Sequence, residues 1–244
     1  EWGDPTKKYE AAQELLKELF PDMIQQTPKL RTKKDYGLIP LKRKVSLFKT
    51  LSSLGKSEQS IWPKTFEQLG SGYGYVLYQT KVIGSTNSER IKLVDTSDRV
   101  SVYVDEVFYL TQTQEEIGTE FNLPLQGEHE LSLLVENMGR NNYGARLLAP
   151  TQRKGIRGGG MVDHHFETEW VQYALSFETI GDVDFTKGWI PNTPAFYEYE
   201  FEAHECEDTF LDCSTLGKGV AFINDFNLGR YWSVGPIQYL YIPG

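Results

Sequence analysis

Along most of this chain apolar and polar residues alternate over short stretches, the period of half-buried strands, and only one segment steps like a helix. In TKKYEAAQELLKELF, Tyr9, Ala12, Leu15, Leu16 and Phe20 recur at three- and four-residue intervals. Asp4-Pro5 offers a capping carboxylate and a proline at the first helical position, and Pro21 closes the segment. A lone amphipathic helix has no helix to pack on. It is expected either to cover a sheet of this chain or to end a domain lying before residue 1.

The strand pattern begins after Gly70. YGYVLYQTKV, RVSVYVDEVFYLTQ and HELSLLVEN are rich in β-branched and aromatic residues and are separated by polar turns. A second set follows: EWVQYALSF, FYEYEFEA, DTFLDCS, KGVAFINDFNLGRYW and IQYLYIP. The clearest alternation puts Tyr197, Tyr199, Phe201 and Ala203 on one face and Glu198, Glu200 and Glu202 on the other, read as the wet face of an antiparallel strand. FYEYEFEAH and TFLDCS are expected to pair as a hairpin around ECED. That would place Cys206 in the turn and Cys213 down the return strand, too far apart for a disulfide. Two free thiols are expected.

Composition narrows the picture. The chain has 244 residues, 39% of them hydrophobic and 13% aromatic, enough for a sizeable core. Its 25 basic and 34 acidic side chains give a formal charge of −9, which disfavours a nucleic-acid partner. No apolar run approaches the ~20 residues of a membrane-spanning helix. Thr27 to Lys44 holds most of the local positive charge and reads as a solvated linker crossing another domain. Arg153, Lys154 and Arg157 lack a phosphate-binding glycine loop opening a helix, and read as a solvated loop. Adjacent His164 and His165 point to opposite faces of an extended segment, against joint metal ligation. Tyr73 and Tyr75 share one face and read as core or interface.

The two strand sets resemble each other. LVDTSDRVSVYVDEVFYLTQ and FLDCSTLGKGVAFINDFNLGR share an apolar–Asp end, a short loop, an alternating strand and an acid/amide turn. Asp105-Glu106 and Asn224-Asp225 take the tight-turn positions, where Asp and Asn tolerate positive φ. HELSLLVEN follows the first turn. No equivalent follows the second before LYIPG, so the second β-domain is expected to lack its closing strand.

EWGDPTKKY, YGYVLYQT, LLVENMGRNNYG with QRKGI, PAFYEYEF, and DTFLDCSTLGKGVAFINDFNLGRYWSVGPIQYLYIPG resemble, in family order, the C-terminal part of glycoside hydrolase family 35, the retaining β-galactosidases. The match is nearest to bacterial members. The resemblance implies a mainly β chain: two jelly-roll or galactose-binding-like β-sandwich domains after a short helix left from a (β/α)8 barrel. Residues 1–26 would be the barrel's last helix, 27–69 a linker, 70–153 the first all-β domain and 154–244 the second. The implied activity of the parent protein is hydrolysis of terminal β-D-galactosyl residues.

Retaining glycosidases use two carboxyl groups ~5–5.5 Å apart and need no cofactor or metal. The family's glutamate pair would lie before residue 1, and none of Glu10, Glu67 or Glu136 matches it, so the chain itself carries no catalytic residue. The resemblance places Tyr143, in GRNNYG, at the barrel mouth, where its ring would face the sugar. The other reading is packing between domains. Trp2 is a second substrate-binding candidate. Asn224, Asn227, Arg230 and Trp232 read either as a sugar-binding set or as packing between sheet and turn. Expected partners are the upstream barrel, a galactoside and, as a further option, a homodimer mate. A stand-alone carbohydrate-binding module or a structural domain is the alternative function. The compartment is left open between bacterial cytoplasm and cell surface.

Overall fold

The structure, a computed structural model, describes residues 3–23, 28, 30–175 and 180–244. The backbone gathers into two compact units, Leu41–Glu198 and a second made of Glu1–Pro40 with Tyr199–Gly244. The chain opens with α1 (Lys7–Leu19), capped by Thr6, whose Oγ1 accepts the Tyr9 N–H at 3.3 Å. The expected cap, Asp4, lies two residues too early to reach the free N–H groups and forms an ion pair with Lys33 instead. Glu10 in the first turn and Lys17 in the last complement the helix dipole. α1 buries none of its residues. Tyr9, Leu15, Leu16, Leu19 and Phe20 all remain exposed.

The Leu41–Glu198 unit runs through β1 (Leu41–Ser46), α2 (Leu47–Thr50), β2 (Glu58–Ser60), β3 (Gly74–Gly84), β4 (Glu89–Ser97), β5 (Arg99–Val104), β6 (Val107–Gln112), β7 (Glu120–Leu123), β8 (Gly127–Asn137), β9 (Gly155–Val162), β10 (His165–Phe166), β11 (Trp170–Leu175) and β12 (Ala195–Tyr199). Six strands form one sheet in the order β2-β11-β3-β8-β5-β6, and four form another in the order β10-β9-β4-β7. β3 and β8 pair antiparallel over their full length, from Gly74 opposite Asn137 to Gly84 opposite Gly127.

Alternation builds the core. Val76, Tyr78 and Val82 of β3, Val100, Val102 and Val104 of β5, and Leu131, Leu133 and Val135 of β8 share one buried cluster with Ile91 and Leu93 of β4 and Ile156 of β9. The two sheets thus pack face to face as a β-sandwich. Trp170 of β11 is fully buried there, and its Nε1–H donates to the Glu167 carbonyl at 2.9 Å. Gly160 makes room for it: a Cβ at that position would come within 3.3 Å of the indole. On the outer face of the large sheet, Leu77 and Leu175 meet Leu47 and Leu51.

Residues 27–69, expected as linker, contribute β1, α2 and β2 to this unit. Beyond residue 153, β9 pairs with β4 and β11 with β3, so the expected boundary there falls among paired strands. β9 reads GIRGGGMV, and its glycines lack the alternation that marks a strand in sequence.

The other unit holds β13 (Thr209–Asp212), β14 (Lys218–Ile223), β15 (Phe226–Trp232) and β16 (Tyr239–Ile242). β13 pairs with β16, and β14 with β15. The expected FYEYEFEAH–TFLDCS hairpin does not form: β12 pairs with β1, and β13 with the late strand β16. Tyr197, Tyr199 and Phe201 are exposed, while the Glu198 carboxylate accepts from Arg43 and pairs with Lys42. Cys206 and Cys213 are both free, as expected.

The internal similarity is structural too. β5–β6 turns at Asp105 and Glu106, both at positive φ, and β14–β15 turns at Asn224, also at positive φ. Each hairpin carries a register shift at the same offset before its turn, between Val102 and Tyr103 and between Ala221 and Phe222. β5 has β8 on its far side, whereas among the described residues β14 pairs with β15 alone.

Candidate functional site

β8 ends at Asn137 and hands over to the loop carrying GRNNYG. Gly139 and Gly144 take φ of +103° and +132°, conformations that side chains resist, so the backbone path depends on glycine at both ends of the motif. Asn137 starts the turn: its Oδ1 accepts the Gly139 N–H at 3.0 Å and its Nδ2 donates to the Gly72 carbonyl at 3.1 Å. Arg140 follows, donating through Nη1 to the same carbonyl at 2.8 Å and through Nη2 to Glu67. Beyond it the chain projects, and Tyr143 is 91% exposed.

The loop returns at Lys154. Its N–H donates to both Glu67 carboxylate oxygens, each at 3.2 Å, and its Nζ donates to Asp98 Oδ1 at 2.5 Å. Asp98 Oδ2 accepts the Met138 N–H at 2.7 Å. Burial pushes the Glu67 carboxyl up, but the bonds from Arg140 and Lys154 outweigh it and hold Glu67 below its ordinary value.

Asn141, Tyr143, Gly144, Ala145, Arg146, Leu147 and Gln152 line a cavity of about 170 Å³ within the loop. The Tyr143 ring gives the loop an exposed aromatic face with a hydroxyl. Trp2 lies outside the described residues.

The remaining candidates resolve into local partnerships. The solvated-loop reading of residues 153–157 is corrected. Lys154 is buried against Asp98, and Arg157 forks onto Asp95, donating also to Ser97 and the Arg153 carbonyl. The basic stripe is partnered as well: Arg31 bonds the Gly244 carbonyl, Lys42 and Arg43 meet Glu198, and Lys44 sits 3.4 Å over the Trp189 ring. His164 lies against Arg90. Asn227 Oδ1 accepts the Gly229 N–H, and Lys218 covers the Trp232 ring at 4.3 Å, a hairpin-stabilising arrangement. Tyr75 joins the outer cluster, whereas Tyr73 is exposed just before β3. Glu136, on β8, is 1% exposed with Arg99 3.8 Å away, buried rather than presented to a substrate.

Sequence reasoning missed Glu67, Asp98 and Lys154 as a group. They lie far apart in the chain, and only the pairing of β9 with β4 and β8 with β5 brings them together.

Residues 63–176 match the family model described as the beta-galactosidase first all-beta domain, and residues 194–244 match the beta-galactosidase galactose-binding domain. Beta-galactosidase 1 of Dictyostelium discoideum is 31% identical over 99% of this chain and 40% of its own length. Beta-galactosidase of Xanthomonas manihotis is 31% identical over 99% and 40%, and human beta-galactosidase 30% over 100% and 39%. These identities do not set bacterial relatives apart from eukaryotic ones. The chain spans about two fifths of the length of the curated relatives it matches.

Proposed function

We infer, from a chain that carries the first all-beta and galactose-binding domains of the β-galactosidases, that it serves as the non-catalytic accessory region of a retaining β-galactosidase acting on terminal β-D-galactosyl residues. In this reading the two catalytic carboxyl groups stand on a barrel supplied by the rest of the protein. The accessory region supports that barrel and closes one side of its pocket. The observation that carries the reading is the 139–153 loop: an exposed aromatic ring within it, its two ends held by side-chain bonds, and a small cavity of about 170 Å³ beside the ring.

The exposed stripe of α1 supports the barrel as partner. Tyr9, Leu15, Leu16, Leu19 and Phe20 make up an apolar face that α1 does not bury. Such a face suits packing against a neighbouring element.

Tyr143 would act through orientation and apolar cover, not through proton transfer. Its ring meets the C–H face of the sugar, and its hydroxyl gives one further hydrogen bond. The test is turnover of a chromogenic β-galactoside. The purified chain should give none, while a polypeptide joining it to the barrel should be active. Hydrolysis by the chain alone, free of contaminating enzyme, would overturn the reading.

A further inference from the structure

Two carboxylates each bond both ends of the Tyr143 loop, beside the bonds of Asn137 and Arg140 to the Gly72 carbonyl and of the Phe66 N–H to the Lys154 carbonyl. Asp98 takes the Met138 N–H from the outgoing end and the Lys154 ammonium from the returning end. Glu67 takes the Arg140 guanidinium from the outgoing end and the Lys154 N–H from the returning end. Each acid therefore spans both ends of the loop.

Both acids stand on firm ground. Asp98 sits at the junction of β4 and β5, and its own N–H donates to the Glu136 carbonyl of β8 at 3.1 Å. Glu67 follows Phe66, which is fully buried in the sandwich core and whose N–H donates to the Lys154 carbonyl at 2.9 Å. Within the loop the backbone bonds are local: Ala149 to Arg146, Gln152 to Ala149 and Arg153 to Pro150. The tip has no comparable anchor among the described residues, so its position is set at the base.

We propose that Glu67 and Asp98 are positioning residues, a pair of carboxylate braces that fix the 139–153 loop and so set where the Tyr143 ring stands. This deepens the pocket-completing reading and rests on it for its catalytic consequence. Charge-assisted bonds from a forked guanidinium and an ammonium are stronger and more directional than their neutral counterparts. An amide in place of either acid keeps the shape but weakens both attachments at once.

Amide hydrogen exchange on the full chain reads the brace directly. Glu67→Gln and Asp98→Asn should each speed exchange across residues 141–152 about fivefold or more, with β3 and β8 unchanged. Should Glu67→Gln fail to fold, Arg140→Gln carries the same test from the loop's own side. Unchanged exchange at 141–152 in all variants that fold would overturn the brace.

A double-mutant cycle in the barrel-containing enzyme reads its consequence. Glu67→Gln should lower kcat/KM when Tyr143 is present and cost little more once Tyr143 is alanine. An equal loss in both backgrounds would mean that Glu67 does not act through Tyr143, and would overturn the positioning role. Faster exchange combined with a silent Tyr143→Ala would instead leave the brace standing and remove the pocket reading.

Discussion

His129 and Asp105 show how single residues hold a turn. His129 Nδ1 and Asp105 Oδ2 are 2.6 Å apart, and Asp105 Oδ1 accepts the Glu130 N–H at 2.9 Å. The β5–β6 turn is thereby pinned to β8. The bond to Asp105, joined by the Gln126 carbonyl, raises the His129 pKa above its ordinary 6.5. The bond from His129, joined by the Glu130 N–H, holds Asp105 below its ordinary 3.8. A raised histidine contributes stability that is fully present below about pH 6.5 and lost as pH rises through the folded-state value. A depressed aspartate contributes stability present above 3.8 and lost as pH falls through its own lower value. The pair is therefore at full strength between these limits. Thermal melting as a function of pH should show the wild type losing more stability than His129→Gln between pH 6 and 9. Parallel profiles would remove the pair from the account.

Elements divide into those legible in sequence and those hidden from it. The hairpins were readable because Asp105-Glu106 and Asn224-Asp225 announce turns between alternating strands. α1 was readable from its period, although the cap moved to Thr6 because a nearer hydroxyl reaches the free N–H groups. β9 was not readable, since glycines at 158–160 remove its alternation and make room for Val94, Phe166 and Trp170 instead. Strand partners were equally opaque: β12 with β1 and β13 with β16 join segments distant in the chain. The Tyr143 loop could be picked out by its motif, but the acids that brace it could not, because nothing local links residues 67, 98 and 154. Packing around Trp170 provides a test at this scale. Trp170→Ala leaves a void between the sheets and strands the contact face of Tyr78, whose ring stands edge-on to it at 6.4 Å. Urea denaturation should show a loss of about 3–5 kcal/mol. A loss below about 1 kcal/mol would mean that the indole is not central to the core.

At the scale of the whole molecule, the two β-units share a hairpin plan, and three of the chain's glutamates are engaged by arginines of the same chain. Glu67 is engaged by Arg140, Glu136 is buried beside Arg99 and Glu198 is held by Arg43. What the accessory region offers is a braced loop with an aromatic tip. The most direct test is kcat/KM for a β-galactoside in the barrel-containing enzyme, comparing wild type, Tyr143→Phe and Tyr143→Ala at unchanged melting temperature. Alanine should cost about 5- to 150-fold, equivalent to ~1–3 kcal/mol, and phenylalanine, which keeps the ring, much less. Wild-type kcat/KM in both folded variants would contradict this and leave the substrate pocket wholly to the rest of the protein.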